Sequence, residues 1–286
     1  QGKIDFYSFD LRNEEELEKI FSRYEFDGVV HFAAKKYIDE SFKNPQDYLD
    51  NNVESTKVLL ACMERHNVNK LTFASTIAVY GDVKYLPIDE KHPLNPLSPY
   101  AKSKVLCEKL ISEWGRDKKA IICRFSNLSG ANTNLNLGDD SLLNKKNLFT
   151  YICDNICNDR PFMFNGNDYD TKDGTTIRDY IHIDDLTQIV ANLYDEVDSS
   201  CVVNVARGGD GNSVLDIMHT FERVAGKKLE YGFNPRREGD VAQITISTKK
   251  LQSLIDYKYQ NDIYDIAKSQ LEFYNHLNSE MEINLD

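Results

Sequence analysis

The stretch SPYAKSKVLCEKLISEWGRD, residues 98–117, decides the fold through its own pattern and through what flanks it. Ser98 is a suitable N-cap and Pro99 suits the first helical position, so a helix is predicted to begin here. The stretch lies between NKLTFASTIAVYG (residues 69–81) and KAIICRFSNLSG (residues 119–130), two apolar runs typical of buried strands. A strand, a helix and a second strand in this order predict a parallel sheet.

The alternation of strands and helices continues towards the N-terminus. FDGVVHFAA (residues 26–34) predicts a buried strand, and KIDFYSFDL (residues 3–11) alternates apolar and polar residues as a strand does. NEEELEKIFSRY (residues 13–24) and NPQDYLDNNVESTKVLLACMERHNV (residues 44–68) carry apolar residues at helical spacing. We therefore predict an α/β fold built on a Rossmann-like, doubly wound parallel sheet.

The pattern changes after about Gly130, where a long polar segment typical of a loop follows. The strand–helix rhythm returns near residues 178–206. We expect residues 1–130, with that return segment, to form the Rossmann-like domain, and residues 131–286 to form a smaller C-terminal α/β substrate domain. The sequence between them contains no low-complexity linker, which favours two closely packed domains.

The composition limits the partners and the compartment. The chain has 286 residues, of which 41% are hydrophobic and 28% charged, and its net charge is −12. This acidity argues against nucleic acid and anionic membranes as partners, and no apolar run approaches the roughly 20 residues of a membrane span. The six cysteines are scattered; Cys153 and Cys157 lie four residues apart, but no second Cys/His pair follows them at zinc-ligand spacing. We therefore expect no disulfide, no metal site and a cytoplasmic location.

Tyr100 and Lys104 lie four residues apart in the helix predicted over residues 98–117, and therefore on one helix face. A lysine ammonium near a phenol lowers the phenol pKa from its usual value of about 10 and lets the phenol act as a base. Ser75 and Thr76 end the preceding buried strand, where ligands of open parallel sheets bind. Thr76 could therefore hydrogen-bond a substrate hydroxyl whose proton Tyr100 removes. The alternative is a pair of ordinary surface residues, since 16 tyrosines make chance matches common.

Seven segments of the chain resemble the UDP-galactose (UDP-glucose) 4-epimerases, a family of extended short-chain dehydrogenase/reductase proteins. The resemblance extends from Asp10 to the last predicted helix, and DGTTIRDYIHIDDL and PRREGD are its most specific parts. The segments are VVHFAAKK, DNNVEST, FASTIAVYG, SPYAKSK, FNGNDYDTKDGTTIRDYIHIDDL, GNSVLDI and PRREGD.

The resemblance implies an isomerase that interconverts UDP-glucose and UDP-galactose with tightly held NAD. In that family the cofactor takes a hydride from carbon 4 of the sugar while a tyrosine takes the O4 proton, and the 4-keto sugar is then reduced from its other face. By resemblance, Tyr100 is the acid/base, Lys104 tunes it and holds the nicotinamide ribose, and Thr76 assists. The resemblance also implies a homodimer.

Two sets of binding residues follow from the same resemblance. Arg178 and Arg237 correspond to a pair that neutralises the diphosphate, and Asp240 corresponds to a carboxylate that accepts from the uridine ribose hydroxyls. The residues implied for NAD are Asp10, Leu11, Phe32, Ala33, Ala34, Lys35, Lys36, Asn51, Ser75, Tyr100, Lys104, Phe125 and Ser126. Those implied for the UDP-sugar are Lys36, Thr76, Tyr100, Asn127, Asn147, Leu148, Arg178, Arg237 and Asp240.

Several of these residues have an alternative explanation. Asp10 could instead be the N-cap of the helix predicted over residues 13–24, and Arg178 could pair with Asp179. His182 is expected to make a structural hydrogen bond rather than to take part in chemistry. The alternatives are an exposed loop cation for Lys36, a turn residue for Asn127 and a solvated charge run for Arg237, although the ligand role is favoured for each.

The sequence departs from the family in its first element. A dinucleotide site of this fold uses a strand, a Gly-rich turn and a helix, and no GxxGxxG or GxGxxG precedes residues 3–11. RGGDGNS (residues 207–213) follows a predicted strand but lies far downstream. We therefore expect a chain truncated by a βαβ unit of at least about 30 residues, which binds NAD poorly on its own. A non-catalytic remnant of the family stays open as an alternative.

Another nucleotide-sugar enzyme of the same superfamily is the remaining alternative. A sugar dehydratase needs an acid and a base directly after Thr76 to eliminate water. Ile77 and Ala78 occupy those positions and cannot transfer protons. The sequence therefore argues against dehydration, whereas an epimerase acting on a different sugar pair stays open.

Overall fold

The computed structural model describes residues 4–134, 137–139, 147–237 and 239–283. A 3₁₀ helix spans Ile77–Tyr80. The α-helices are α1 (Glu14–Arg23), α2 (Ile38–Lys43), α3 (Pro45–Arg65), α4 (Pro99–Trp114), α5 (Leu148–Cys157), α6 (Ile183–Glu196), α7 (Val214–Ala225), α8 (Lys249–Leu254) and α9 (Ile263–Ile283). The strands are β1 (Val29–His31), β2 (Lys70–Thr76), β3 (Lys119–Phe125), β4 (Asn127–Ser129), β5 (Phe162–Asn165), β6 (Ile177–Arg178), β7 (Tyr180–His182), β8 (Cys201–Val205), β9 (Asn212–Ser213) and β10 (Tyr231–Asn234).

The main sheet has the strand order β1-β2-β3-β8. Strands β1 and β2 are parallel, with Val29 opposite Leu71 and His31 opposite Phe73. The chain between them forms α2 and α3, as a parallel pair requires a crossover connection. The predicted α/β class is therefore confirmed.

Helix α4 begins where the sequence predicts. The Ser98 hydroxyl accepts a hydrogen bond from the Ala101 amide at 3.1 Å, and Pro99 is the first helical residue. Helix α1 has a different N-cap from the one considered above, because Asn13, and not Asp10, accepts from the Glu16 amide at 3.3 Å. The capping alternative for Asp10 is therefore wrong.

The strand predicted over residues 3–11 is also wrong for the part that the structure describes. Residues 4–11 adopt no strand, and Ile4 and Phe6 are 90% and 86% exposed. Alternation of apolar and polar residues stabilises a strand only where a partner strand satisfies its backbone groups and one face is buried. Neither condition is met for this segment among the described residues.

The chain divides into two compact units. Unit 1 comprises residues 1–82, 91–124 and 194–203, and unit 2 comprises residues 83–90, 125–193 and 204–286. In unit 1, α1, α3 and α4 pack with β2 and β3 around a core that includes Phe21, Leu59, Met63, Phe73, Ile111 and Ile122. In unit 2, α5, α7 and α9 pack with β5 around Phe149, Ile152, Phe162, Ile217, Phe221 and Leu271. Each fully buried apolar side chain of this size contributes roughly 1.5–3 kcal/mol, so each unit has a core of its own.

Short strand pairs organise the rest of unit 2. Strand β4 is parallel to β7, β5 is parallel to β10, and β6 is antiparallel to β9. The pairing of β6 places Arg178 opposite Asn212. Within the described ranges, no helix is both long enough and apolar enough to cross a lipid bilayer.

The turn after the 3₁₀ helix depends on a glycine. Gly81 has φ +62°, and a Cβ at this position would lie 1.7 Å from the carbonyl oxygen of Asn95. The Asn95 amide in turn donates to the Val79 carbonyl at 3.1 Å, which holds the two chain segments together. A side chain at position 81 would therefore separate this loop from the end of β2.

We expect Gly81→Ala to lower the free energy of unfolding by more than about 3 kcal/mol, because the substitution adds a backbone clash to an unfavourable φ. Gly209→Ala is the matched control. Gly209 has φ +85°, and no described atom lies within 4 Å of the position that a Cβ would occupy there. The control should cost only about 1–2 kcal/mol. Urea unfolding of the two variants measures both values, and equal losses would contradict the proposed close approach.

Candidate active site

Thr76 and Tyr100 meet at the carboxyl end of β2. Thr76 is the last residue of the strand and the N-cap of the 3₁₀ helix, where its Oγ1 accepts from the Ala78 amide at 3.2 Å. Tyr100 is the second residue of α4, and the Thr76 side chain lies close enough to its phenol to affect the phenol pKa. The Tyr100 ring also packs edge-on against Tyr48, with 6.5 Å between the ring centroids. The strand end and the helix start thus place a hydroxyl beside a phenol, as predicted.

Burial determines the charge state of this phenol. Burial raises the pKa of Tyr100 above its ordinary value, and the hydrogen bond from Thr76 offsets only part of that effect. Lys104 is not among the groups that shift this pKa in the structure, so its predicted effect on the phenol stays a prediction. The Lys104 ammonium instead donates to the Ala74 carbonyl at 2.8 Å and lies 4.6 Å from the centroid of the Phe73 ring. Tyr100 is therefore a neutral phenol at neutral pH in this structure.

Lys104 is itself a buried cation with a second titratable group nearby. Its side chain is 3% exposed, and burial lowers its pKa to about 8, although Cys107 and Glu108 favour the charged form. Burial and the positive charge of Lys104 together lower the pKa of His31 to about 4. His31 ends β1, and its Nε2 lies 3.2 Å from Thr56 Oγ1. The imidazole is therefore neutral at neutral pH.

A buried ion pair lies directly beside the candidate site. Glu108 and Arg124 are each 6% exposed in their side chains and form two hydrogen bonds, at 2.6 Å and 3.0 Å. The Ser75 hydroxyl donates to Glu108 at 2.5 Å, and Arg124 donates to the Tyr80 hydroxyl at 3.1 Å. Ser75 was predicted from resemblance to contact the cofactor. Its hydroxyl is committed to this network, which links β2, β3, α4 and the 3₁₀ helix.

Sequence reasoning did not identify Glu108 or Arg124 as part of the site. The signal was present, since Glu108 follows Lys104 by four residues and so lies on the same face of α4. Arg124 is a single charge within the apolar run of β3, and a buried charge requires a partner.

Another missed residue, Asn52, holds the loop that follows β1. Its side chain accepts from the Lys35 amide at 2.8 Å and donates to the Lys35 carbonyl at 3.1 Å. It also donates to Ser103 Oγ at 2.9 Å and accepts from the Asn51 amide nitrogen Nδ2 at 3.0 Å. Asn52 is 2% exposed, so this one amide ties the loop to α3 and α4.

The predicted cofactor residues of this loop differ in their surroundings. Lys35 forms an ion pair with Asp47, whereas Lys36 is exposed and lies 5.6 Å from the centroid of the Tyr37 ring. Ala34 is half-buried. Of the two lysines, Lys36 presents the more accessible ammonium group.

Three other predicted cofactor residues share one cavity. Leu11, Phe32 and Ala33 line an apolar cavity of about 460 Å³. Asp10 lies next to Leu11 in sequence, and its carboxylate accepts from Arg12 at 2.6 Å. These hydrogen bonds from Arg12 lower the pKa of Asp10 to about 2. The other residues that line the cavity are Leu17, Phe21, Phe26, Gly28, Val29, Val30, His31 and Leu59.

Unit 2 brings two of the predicted substrate residues together. Arg178 Nη2 lies 3.4 Å from Asp240 Oδ1, and the Arg178 side chain is 15% exposed. The alternative pairing of Arg178 with Asp179 is wrong, because the Asp179 carboxylate accepts from the Arg207 and Gly208 amides at 3.1 Å and 2.9 Å. Burial raises the pKa of Asp179 to about 6.

Arg237 is exposed, and its carbonyl accepts from the Asp240 amide at 3.2 Å. The turn that contains both residues therefore carries a carboxylate and a guanidinium close together in sequence. Among the described residues of this turn, Gly239 has φ +80°, which favours glycine.

The remaining predicted substrate residues occupy element ends. Asn127 begins β4, and its Nδ2 donates to the Asp179 carbonyl at 2.9 Å. Asn147 is the N-cap of α5, where its Oδ1 accepts from the Phe149 amide at 3.2 Å. Leu148 is the half-buried first residue of that helix. Both asparagines therefore have a structural role, which leaves their predicted ligand contacts untested.

The last predicted cofactor residues, Phe125 and Ser126, follow the ion-paired Arg124. Phe125 is half-buried, and the Ser126 amide donates to the Val205 carbonyl at 3.0 Å.

His182 makes the structural hydrogen bonds that were expected, because its Nδ1 accepts from the Asp184 amide at 3.1 Å and its Nε2 donates to Ser269 at 3.0 Å.

Comparison with known protein families gives a consistent result. A family model described as GDP-mannose 4,6 dehydratase matches residues 1–270. The chain is 35% identical over 278 residues to UDP-glucose 4-epimerase 2 of Arabidopsis thaliana, a match that covers 93% of this chain and 78% of that protein. It is 36% identical over 262 residues to the UDP-glucose 4-epimerase of Drosophila melanogaster, covering 87% of this chain and 75% of that protein.

Solved structures are similar as well. UDP-glucose 4-epimerase from Bifidobacterium longum, in complex with NAD+ and UDP, has a TM-score of 0.86 and 35% identity, covering 96% of this chain and 83% of that chain. The UDP-glucose 4-epimerase from Stenotrophomonas maltophila, with bound NAD and formylated UDP-arabinopyranose, has a TM-score of 0.89 and 28% identity. The match covers 95% of this chain and 83% of that chain. These similarities confirm the predicted Rossmann-like α/β class.

The buried ion pair generates a prediction about stability. Glu108→Gln should lower the free energy of unfolding by about 3–5 kcal/mol, because it leaves the Arg124 charge buried without a counter-charge. The double variant Glu108→Gln with Arg124→Met should recover a large part of that loss, since no unpaired charge remains. Urea unfolding of the wild type, both single variants and the double variant measures the coupling. Additive losses would show that the two side chains act independently.

The neutral His31 generates a prediction about pH. Its pKa is about 4 in the folded protein and about 6.5 in an unfolded chain, so unfolding takes up a proton between these values. The stabilising contribution is complete above pH 6.5 and is lost as the pH falls towards 4. Between pH 7 and pH 5, wild type should lose about 2 kcal/mol more than His31→Gln, measured by urea unfolding. Parallel stability curves for the two proteins would argue against a depressed pKa.

Proposed function

Because the chain belongs to the UDP-glucose 4-epimerase family of the short-chain dehydrogenase/reductase proteins, we propose that it interconverts UDP-glucose and UDP-galactose with NAD as its cofactor. The observation that carries the proposal is the close placement of Thr76, at the end of β2, and Tyr100, at the start of α4. A phenol and a hydroxyl in this arrangement can exchange a proton with a sugar hydroxyl. The buried Lys104 supports the proposal, since it supplies a nearby ammonium group.

An apolar cavity of unit 1 fits the adenine end of a dinucleotide. The cavity lined by Leu11, Phe32 and Ala33 is apolar and, at about 460 Å³, large enough for an adenine ring. Lys36 offers an exposed ammonium group near the end of β1. We assign NAD contacts to these residues and, as the resemblance implies, to the other predicted cofactor residues. When bound, NAD supplies the acceptor and donor of the hydride on carbon 4 of the sugar.

The chain's own residues account for the proton transfer. Tyr100 takes the proton from the O4 hydroxyl and returns it when the 4-keto sugar is reduced. The Thr76 hydroxyl stabilises the phenolate by donating to it. Because burial raises the phenol pKa, a positive charge must come close to the ring before Tyr100 can act as a base at neutral pH. The Lys104 ammonium can supply part of that charge if it leaves the Ala74 carbonyl.

Residues of unit 2 are proposed to bind the nucleotide part of the substrate. The contact of Arg178 with Asp240, at 3.4 Å, is long for a charged hydrogen bond. The guanidinium therefore keeps donors for a diphosphate, and the Asp240 carboxylate keeps acceptor sites for ribose hydroxyls. We assign Arg237 to the same diphosphate, and Asn127, Asn147 and Leu148 to the diphosphate and sugar.

Sugar dehydration is the second candidate reaction, because the matching family model is described as a dehydratase. Elimination of water requires an acid and a base on the turn that follows Thr76. In this chain Ile77 and Ala78 open the 3₁₀ helix there, and neither side chain can transfer a proton. The turn therefore favours epimerisation. Epimerisation of another UDP-sugar is the alternative within the same chemistry.

The cellular context belongs to the same proposal. All six cysteines are free, and the net charge is −12, which suits a reducing cytoplasm and a small anionic substrate held at a few specific cations. We propose a cytoplasmic homodimer without nucleic-acid or membrane partners. Cofactor binding is assigned to residues 1–130 with the segment near 178–206, and nucleotide-sugar binding to residues 131–286.

Tyr100→Phe tests the proposed acid/base. With saturating NAD, conversion of UDP-galactose to UDP-glucose should fall by about 10²–10⁴-fold, the usual contribution of a general acid–base group. Binding of UDP-glucose, measured by calorimetry, should change little because the phenol acts on one hydroxyl only. Tyr264→Phe, at an exposed tyrosine on α9, should leave both quantities unchanged.

Full activity of Tyr100→Phe would remove Tyr100 from the mechanism. Release of a 4-keto-6-deoxy product by the wild type would favour dehydration instead. Absence of any turnover by the wild type with NAD present, together with normal UDP-sugar binding, would favour the non-catalytic alternative.

A further inference from the structure

Three side chains of the types that bind transition metals meet where α1 packs on α3 in unit 1. Cys62 and His66 lie four residues apart at the C-terminal end of α3, and Glu18 lies on α1. One ligand atom from each lies within 4.8 Å of the other two. Glu18 Oε1 is 2.6 Å from His66 Nε2, and the Cys62 Sγ is 3.6 Å from Glu18 Oε2.

We propose that Glu18, Cys62 and His66 form a binding site for one zinc ion, unrelated to the proposed epimerase reaction. Zinc takes thiolate, imidazole and carboxylate ligands in tetrahedral geometry, with bonds of about 2.0–2.3 Å. The edges of such a tetrahedron are roughly 3.3–3.6 Å long. The distance from Cys62 Sγ to Glu18 Oε2, 3.6 Å, already matches such an edge. His66 Nε2 contacts the other oxygen, Glu18 Oε1, and this 2.6 Å contact has to lengthen by less than about 1 Å. Since one ligand atom from each residue lies within 4.8 Å of the other two, small side-chain rotations bring all three onto one ion. The combination of sulfur and nitrogen ligands excludes magnesium and calcium, which prefer oxygen.

Solvent can supply the fourth ligand. Cys62 is fully buried, whereas the side chains of His66 and Glu18 are 23% and 38% exposed. A metal ion on these three groups would therefore have one side towards the core of unit 1 and one side towards water. Burial, with the negative charge of Glu18, raises the pKa of the Cys62 thiol to about 11, so binding releases the thiol proton to solvent.

Arg65 would compete with a metal ion for the Glu18 carboxylate. Its guanidinium donates to Glu18 Oε2 at 2.9 Å and 3.1 Å. It also lies 2.8 Å from Glu14 Oε1, one turn earlier on α1. The guanidinium can therefore keep a carboxylate partner at Glu14 when the metal takes Glu18. Binding exchanges one exposed ion pair for coordination bonds that join α1 to α3.

Cobalt(II) is the probe that tests the ligand set, because it replaces zinc and reports a thiolate ligand by charge-transfer absorption. The 286-residue protein should bind one equivalent of Co²⁺ with intense tetrahedral d–d bands and a thiolate-to-cobalt band. Addition of one equivalent of Zn²⁺ should abolish both bands. Zn²⁺ should also raise the midpoint of thermal unfolding, since it binds the folded chain.

Cys62→Ser and His66→Gln should each remove the cobalt bands and weaken zinc binding at least about 10-fold, in the range seen when groups that support a metal site are lost. His66→Gln changes a partly exposed residue, so it keeps the test valid if Cys62→Ser fails to fold. Cys157→Ser is the matched control, because Cys157 is an exposed thiol in unit 2. It should leave the bands and the affinity unchanged.

The Arg65→Gln variant distinguishes a metal site from a cluster that is held together only by ion pairs. Removing the competing guanidinium should strengthen zinc binding by up to about fivefold, the equivalent of an exposed ion pair. A cluster held only by Glu18, Arg65 and His66 would show no such gain. The proposal is overturned if no thiolate band appears, if Cys157→Ser removes the band, or if Arg65→Gln weakens binding.

Discussion

The buried ion pair of Glu108 and Arg124 is the interaction on which the local structure of unit 1 depends most. It joins the middle of α4 to β3, and through Ser75 and Tyr80 it also reaches the end of β2 and the 3₁₀ helix. Two charges with side chains only 6% exposed are stable only if nearly all their hydrogen-bonding capacity is used. The network holds Ser75, which directly precedes Thr76, and Glu108, which lies on the same helix as Tyr100.

Burial shifts the pKa values of the two groups that carry the proposed chemistry in opposite directions. It raises the pKa of the Tyr100 phenol and lowers the pKa of the Lys104 ammonium to about 8, so it favours the neutral form of each. In the proposed mechanism the phenol becomes a base only when positive charge is brought into the site, which couples proton removal to the arrival of the reaction partners.

The sequence predicted well what depends on local chemistry. The N-cap Ser98, the first helical Pro99 and the strand that ends at Thr76 are all set by residues close together in the chain. By resemblance it also assigned Arg178 and Asp240 to the substrate, and the structure places their side chains 3.4 Å apart. The strand assigned to residues 3–11 failed because alternation alone does not specify a partner, and partners are non-local. The Glu108–Arg124 pair and the hydrogen bonds of Asn52 were missed for the same reason, since each joins segments far apart in sequence.

The cluster of Glu18, Cys62 and His66 also joins residues that are far apart in sequence. Cys62 and His66 have the helical spacing of ligands, but two residues do not make a zinc site, and the other pair of that spacing, Cys153 and Cys157, lies in unit 2. The third ligand, Glu18, lies 44 residues before Cys62 and comes close only when α1 packs on α3. Apolar residues such as Leu17 and Phe21 drive that packing. The glutamate is therefore placed by its hydrophobic neighbours on the same helix, and no property of the glutamate itself could have revealed it.

The turn after β2 shows how a small difference on a shared framework selects a reaction. The Thr76 hydroxyl caps the 3₁₀ helix, and the same hydroxyl faces the Tyr100 phenol, so the start of that helix is fixed next to the proposed site of proton transfer. In the proposed mechanism, titratable side chains at the next two positions would stand where water is eliminated from a sugar. Ile77 and Ala78 cannot transfer protons. Under this proposal the two apolar residues therefore favour the reversible reaction over dehydration.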